Sequence, residues 1–266
     1  MCQIVGTKGY ITAYHNMNKT STILVLPTDS SVSVDNDSAN ITTIKGIIFD
    51  MDGTLTRPQT WMFGEMRRQL AVHDGVDILT HLESLPTPEL RHDAERKLRL
   101  IEEKAMDEQQ PTVGLLDTFQ KLHSIGVKTS ICTRNVPKPV SDFCRKFLDC
   151  DPYVTSTSTT ISDPTSATLI SGPVVTREFK PPKPSPKPLL HIIETWGVNP
   201  GEVLMVGDSH DDMDAGLSAG CAVVLLRHED NENVETLYAT ETGSRLHGVA
   251  HDLHELHKML QNGIVL

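Results

Sequence analysis

The run Ile44-Lys45-Gly46-Ile47-Ile48-Phe49-Asp50 constrains this chain more than any other stretch. It is short, apolar, rich in isoleucine, and ends on a carboxylate. A run of this kind reads as a buried β-strand. Asp52-Gly53-Thr54 follows at once and marks a tight turn. A strand that delivers two acidic residues into a turn points to a sheet whose chemistry sits at its strand ends.

The rest of the chain repeats the theme. Leu90, Ala94, Leu98, Ile101 and Ala105 fall at spacings that trace one face of a helix, with Pro86 and Pro88 before it and Pro111 and Gly114 after it. A helix is expected over 115–124, closed by Gly126, then a strand over 127–133 and a helix over 139–147. Residues 155–171 are almost all Ser, Thr, Ile, Pro and Ala and read as a low-complexity loop insertion. A short strand is expected over 174–179, a helix over 189–196, a strand over 202–208, a helix over 213–219, a strand over 222–226 and a last helix over 249–260. Strands alternating with helices define an α/β fold with a parallel sheet. Ligands gather at the carboxyl ends of such strands, where Asp50, Thr133 and Asp208 stand.

The residue types at those ends carry chemistry. Asp50 and Asp52, separated by Met51, can converge on one site, one carboxylate attacking an electrophile and the other moving protons. An Asp-rich turn with no function is the plainer account of such a pair. Asp208, Asp211 and Asp212 crowd like charges just after a strand. A hard divalent cation relieves that crowding, and Mg²⁺ prefers oxygen ligands. The plain alternative is an acidic turn that caps the next helix. Lys183 lies in the proline-rich stretch 181–188, which also resembles an SH3-domain ligand.

Together these segments carry a resemblance. Asp50-Met51-Asp52-Gly53-Thr54, the strand-end Thr133, Lys183-Pro184-Ser185-Pro186 and Gly207-Asp208-Ser209-His210-Asp211-Asp212, in this order, look like the four motifs of the haloacid dehalogenase superfamily. Residues 58–63, 131–135 and 176–179 look like a fungal branch of these hydrolases. The resemblance covers about residues 44–228. It implies a Rossmann-like parallel core with helices on both faces, formed by 44–56 and 111–266, and a small helical cap at 57–110 inserted after the first strand. It implies that Asp50 attacks phosphorus, Asp52 acts as acid and base, Thr133 binds the phosphoryl group and Lys183 offsets its charge. Gly53, Thr54, Thr133, Arg134, Asn135 and Lys183 would bind the substrate. Asp50, the carbonyl of Asp52 and Asp208 would hold Mg²⁺, with Asp212 in the outer shell. The activity implied is a phosphatase acting on a small phosphorylated metabolite. A phosphomutase shares the motifs. The superfamily's dehalogenases lack the second aspartate, which Asp52 supplies.

Composition narrows the setting. A net charge of −11 repels nucleic acid and anionic lipid, so neither is an expected partner. No apolar run reaches the roughly 18 residues of a membrane helix, and the N-terminus lacks a secretory pattern. Residues 1–43 are polar and aperiodic and read as a disordered tail. Lys8 and Lys19 with many hydroxyl residues also suit an organelle-targeting segment. Five cysteines without a CxxC fit reduced thiols in the cytoplasm. His247, His251, His254 and His257 have metal-like spacing, yet Val249, Leu253, Leu256 and Leu260 form the apolar face and leave the histidines on the surface. Trp61, Met62, Phe63 and Met66 serve either substrate contact or packing. A non-catalytic scaffold, binding through the proline run and tail, is the alternative from another class.

Overall fold

The computed structural model describes residues 2–6, 9–13, 21–27, 39–153, 169–240 and 243–266. Its strands are β1 (Cys2–Gly6), β2 (Gly9–Ala13), β3 (Ser21–Val25), β4 (Ala39–Thr43), β5 (Gly46–Phe49), β6 (Lys128–Ile131), β7 (Val203–Gly207), β8 (Ala222–Leu226), β9 (Ala239–Thr240), β10 (Gly243–Ser244), β11 (Gly248–Ala250) and β12 (Ile264–Val265). Its α-helices are α1 (Thr60–Leu70), α2 (Ile78–Ser84), α3 (Pro88–Glu108), α4 (Leu115–Ser124), α5 (Pro137–Phe147), α6 (Lys187–Trp196), α7 (His210–Ala219), α8 (Glu232–Tyr238) and α9 (Leu253–Asn262).

Five strands form the central sheet in the order β11-β8-β7-β5-β6, every neighbouring pair parallel. Successive strand residues point to opposite faces. Ile47, Phe49, Leu204, Val206, Val224 and Leu226 therefore pack on one side with Phe119, Phe143 and Leu256 from α4, α5 and α9. Ile48, Met205, Val223 and Leu225 pack on the other with Leu189, Ile192 and Met213 from α6 and α7. A sheet covered on both faces needs apolar residues at consecutive positions, which explains the unbroken runs. The expected α/β fold with helices on both faces is the one observed. Phe49 pairs in register with Ile131 on one side and Val206 on the other. Asp50, Thr133 and Asp208 consequently leave the sheet along a single edge.

Three expectations need correction. The tail expected over 1–43 is structured in much of its length. β1 and β2 pair antiparallel, while β3 pairs parallel with β4 and antiparallel with β12. The cause is the apolar run Ile23-Leu24-Val25-Leu26. Leu24 is fully buried and joins Leu256, Leu260 and Ile264 in the core. Residues 249 and 250, expected to begin the last helix, belong instead to β11, the outermost strand of the main sheet. The helix begins only at Leu253, where the Asp252 side chain accepts from the Glu255 N–H. The strand expected over 174–179 reduces to one bridge between Val175 and Cys132. Residues 154–168, most of the expected insertion, lie outside the described residues; beyond them Ser171 N–H donates to the Thr129 carbonyl at 2.8 Å.

Between β5 and α4 the chain builds a helical insertion, α1–α3, with its own small core of Met66, Leu98 and Ile101. Thr87 caps α3 by accepting from the Leu90 N–H, and Pro88 occupies its first turn. Ala94, Leu98, Ile101 and Ala105 are buried as the periodicity implies, while Leu90 projects into solvent. The two chain crossings into and out of the insertion run side by side. Arg57 N–H donates to the Gln110 carbonyl at 2.9 Å, Thr112 N–H to the Leu55 carbonyl at 2.9 Å, and the Thr112 hydroxyl to the Thr54 carbonyl at 2.7 Å. Among the described residues no helix is long and apolar enough to cross a membrane.

The placement of β3 in the core is open to test. Leu24→Ala should cost about 2–5 kcal/mol in urea unfolding, whereas Ile41→Ala, on the exposed side of β4, should cost less than about 1 kcal/mol. Equal and small losses at both positions would remove the N-terminal strands from the core.

Candidate active site

β5 ends where the Asp50 N–H still donates to the Val206 carbonyl at 2.9 Å, so Asp50 is anchored by the sheet itself. The backbone then folds over Met51, whose carbonyl accepts from the N–H groups of Thr54, Leu55 and Thr56. Gly53 sits inside this turn at φ +84°, and a Cβ there would fall 2.2 Å from Asp208 Oδ2. Only glycine suits both the left-handed backbone and that approach.

The turn brings the expected residues together. Lys183 is buried, and its Nζ donates to Asp50 Oδ1 at 2.7 Å and to Asp212 Oδ1. That burial excludes an exposed polyproline ligand at this point of the chain. Asn135 Nδ2 donates to Asp52 Oδ2 at 3.0 Å. The Thr133 hydroxyl accepts from the Asn135 N–H at 3.0 Å, and the Thr54 hydroxyl donates to Asp208 Oδ1 at 3.3 Å. Arg134 pairs with Asp211 at 2.6 Å and with Asp77 of the insertion at 3.1 Å, and lines the same cavity as Asp50 and Lys183.

Asp212 answers the choice between helix cap and site. Its Oδ2 accepts from the Ser209 N–H and hydroxyl, completing a capping box at the start of α7. Its Oδ1 faces Lys183. One carboxylate thus serves the helix and the cluster at once. Gly207 permits this, because a Cβ there would stand 2.3 Å from the Asp212 Cβ.

Electrostatics follow from burial. Desolvation pushes the Asp50 carboxyl well above the ordinary carboxylate range; Lys183 opposes the rise, and Asp212, Asp208 and Asp52 add to it. Burial lifts Asp52 to about 6 against the Asn135 hydrogen bond. Asp208 is raised by burial and held down by its His228 partner. Burial disfavours the charged Lys183, but Asp212 and Asp50 outweigh it and keep the ammonium protonated. Carboxylate oxygens of Asp50, Asp208 and Asp212 lie within 4.8 Å of one another. This all-oxygen, under-neutralised donor set fits a hard divalent cation. The Asp52 side chain is not part of that group.

Sequence reasoning missed several neighbours. His228 Nε2 lies 3.1 Å from Asp208 Oδ2, and Asn231 Nδ2 donates to the Asp208 and Leu226 carbonyls at 2.8 and 2.9 Å. The signal was present, since His228 follows the end of β8 at the same sheet edge as the other site residues. The histidines of the C-terminal region do not form a cluster of this kind. His247 Nδ1 accepts from the Val223 N–H at 3.0 Å, and His254 lies 3.5 Å from Asp117.

The comparisons with known proteins agree with this geometry. A family model of haloacid dehalogenase-like hydrolases matches residues 44–220. The chain belongs to this family of hydrolases. An uncharacterized hydrolase of Saccharomyces cerevisiae is 40% identical over 220 residues, spanning 82% of this chain and 92% of the relative. A phosphoglycolate phosphatase of Salmonella typhi is 26% identical over 227 residues, spanning 71% of this chain and 83% of that one. The crystal structure of CbbY from Rhodobacter sphaeroides, in complex with phosphate, shares the fold at TM-score 0.58 and 18% identity, covering 80% and 96% of the two chains.

The close approach at Gly207 generates a stability prediction. Gly207→Ala should lose about 1–3 kcal/mol in urea unfolding, because buried Asp212 cannot retreat without breaking its cap. Gly201→Ala, with open space around its Cα, should stay within about 0.5 kcal/mol of the parent. A Gly207→Ala protein as stable as the parent would contradict the packing described.

Proposed function

We propose that the chain is a Mg²⁺-dependent phosphatase that hydrolyses a small phosphomonoester through an aspartyl-phosphate at Asp50. The observation that carries this reading is the convergence of Asp50, Asp52, Lys183, Asp208 and Asp212 on one sheet edge. The phosphoglycolate phosphatase among the relatives supports the same reaction class.

The proposed chemistry needs a nucleophile, a proton donor and charge neutralisation. Asp50 is the nucleophile: its anchored backbone and the Lys183 ammonium hold one carboxylate oxygen in place and leave the other to attack phosphorus. Attack forms the bond from Asp50 to phosphorus and breaks the bond from phosphorus to the alcohol oxygen. Asp52 supplies the proton that the leaving alcohol takes. Its pKa of about 6 suits this work, because a buried carboxyl near neutrality can both give and take a proton. In the second half, Asp52 removes a proton from water, whose oxygen attacks phosphorus and releases inorganic phosphate and free Asp50. Asn135 aims Asp52 through its hydrogen bond, and the Thr133 hydroxyl and the Gly53 amide would bind the phosphoryl group. Asp50 and Asp208, with the Asp52 carbonyl, would hold Mg²⁺, with Asp212 in the outer shell; the ion supplies positive charge against the phosphate oxygens when bound. The insertion α1–α3 serves as a cap over this edge. A phosphomutase would use the same groups but pass the phosphoryl group to a second substrate, so release of inorganic phosphate separates the two.

Asp50→Asn should abolish turnover with the fold intact by circular dichroism. Asp52→Asn should lower kcat/KM, which reads the step that expels the alcohol, by about 10²–10⁴-fold for alkyl phosphates and by much less for 4-nitrophenyl phosphate, whose leaving group needs no proton. An equal loss on both substrates would remove Asp52 from the acid role. Chelation should remove activity and Mg²⁺ restore it, with Ca²⁺ a poor substitute because it takes longer bonds and more ligands. Full activity in excess chelator would overturn the metal assignment.

A further inference from the structure

The proposed phosphatase site opens into a cavity of about 360 Å³ between the insertion and the strand ends. That is far more room than a phosphate needs, and within the range that takes a small organic ligand. The walls beyond the acidic cluster say what the rest of the ligand is. Met62, Phe63 and Met66 of α1, Leu79 of α2, and Leu98 and Met106 of α3 line it. Phe63 is half exposed, an apolar ring turned toward this opening. Methionines at three of these positions let the wall adapt to an irregular apolar shape.

The charged groups of the wall cancel. Apart from the catalytic cluster, the lining holds the cations Arg67, Arg134 and Arg177 and the carboxylates Asp77, Glu102 and Asp211. Arg134 is bound between Asp211 and Asp77. Arg177 stands 3.7 Å from Glu102, which projects from α3. Arg67 donates to the His73 and Val76 carbonyls, both at 2.9 Å, and so holds the loop that leads into α2. A second anionic group on a substrate would have to displace a carboxylate to reach Arg134 or Arg177, and at Arg177 it would meet Glu102 as a like charge; Arg67 is engaged by two backbone carbonyls. An uncharged apolar group meets chiefly methyl, methylene and ring surface, with the Gln59 and Gln109 amides beside it.

We infer that the cavity selects phosphomonoesters whose alcohol portion is one uncharged apolar or aromatic group, and that Glu102, by occupying Arg177, discriminates against substrates with a second anionic group. This rests on the phosphatase reading and narrows it. It also separates this chain from a phosphoglycolate phosphatase, whose substrate carries a carboxylate beside its phosphate.

The test uses the full chain with Mg²⁺ and follows release of inorganic phosphate. Ethyl phosphate, 2-phenylethyl phosphate and 2-phosphoglycolate are all esters of alkyl alcohols, so leaving-group differences stay small. 4-Nitrophenyl phosphate reports phosphatase activity of any kind. The expected order of kcat/KM is 2-phenylethyl phosphate above ethyl phosphate above 2-phosphoglycolate, with about tenfold between the first two from the buried ring. Phe63→Ala should shrink the ratio of 2-phenylethyl to ethyl phosphate, through KM. Glu102→Gln should raise the ratio of 2-phosphoglycolate to ethyl phosphate about tenfold, because Arg177 is released to bind the carboxylate. Turnover of 2-phosphoglycolate equal to or better than that of 2-phenylethyl phosphate overturns the inference and leaves the phosphatase reading standing. That ranking is read on the parent chain and needs no variant to fold. No release from any of the four substrates overturns the phosphatase reading itself.

Discussion

A buried ammonium holds the strand-end cluster together. Lys183 reaches from the loop before α6 and donates to Asp50 at the end of β5 and to Asp212 in the first turn of α7. Three elements that are distant in the chain thereby meet at one nitrogen. Burial removes the water that would otherwise screen these charges, so each partner depends on the others; breaking a buried pair of this kind typically costs about 3–5 kcal/mol. Packing alone gives no reason to bury carboxylates here, since apolar residues of similar volume commonly leave a fold as stable or more so. The cluster is intelligible as chemistry: a concentration of oxygen ligands and one fixed cation at the place proposed to receive a phosphate dianion.

The surrounding structure maintains that concentration. Gly53 and Gly207 allow Asp208 and Asp212 to come nearer to the backbone than any side chain would permit. Asn231 ties Asp208 to the end of β8, and His228 lies against its carboxylate. From the other side, Asp77 and Glu102 of the insertion meet Arg134 and Arg177 of the core. The insertion is therefore joined to the sheet both by its hinge and by ion pairs that flank the cavity.

Much of this was legible in the sequence because parallel sheets place their chemistry at strand ends. Asp50, Thr133 and Asp208 follow apolar runs, and the register of β5 with β6 and β7 brings them to one edge. Lys183 could be placed only by resemblance, since a lysine in a proline-rich loop carries no periodic signal. His228 escaped because the strand-end rule was not extended to β8. β11 is only three residues long and borders the last helix, so helical periodicity absorbed it. The run Ile23-Leu24-Val25-Leu26 was masked by the hydroxyl residues around it, and its partners in α9 and β12 lie at the opposite end of the chain. Tertiary contacts of that range leave no local trace. The two carboxylates that pair with Arg134 come from different elements, so these ion pairs left no local trace either.

The paired crossings at the base of the insertion have an evolutionary consequence. Residues 54–57 and 109–112 lie alongside each other and are joined by backbone hydrogen bonds. A segment whose entry and exit are neighbours can be lengthened, shortened or exchanged without moving the sheet, because the host sees only two adjacent chain ends. The groups proposed for bond making and breaking all belong to the host. Most of the apolar wall belongs to the guest. Variation in such a scaffold can therefore retune what is recognised as if fitting a different bit to the same drill, with the reactive end untouched.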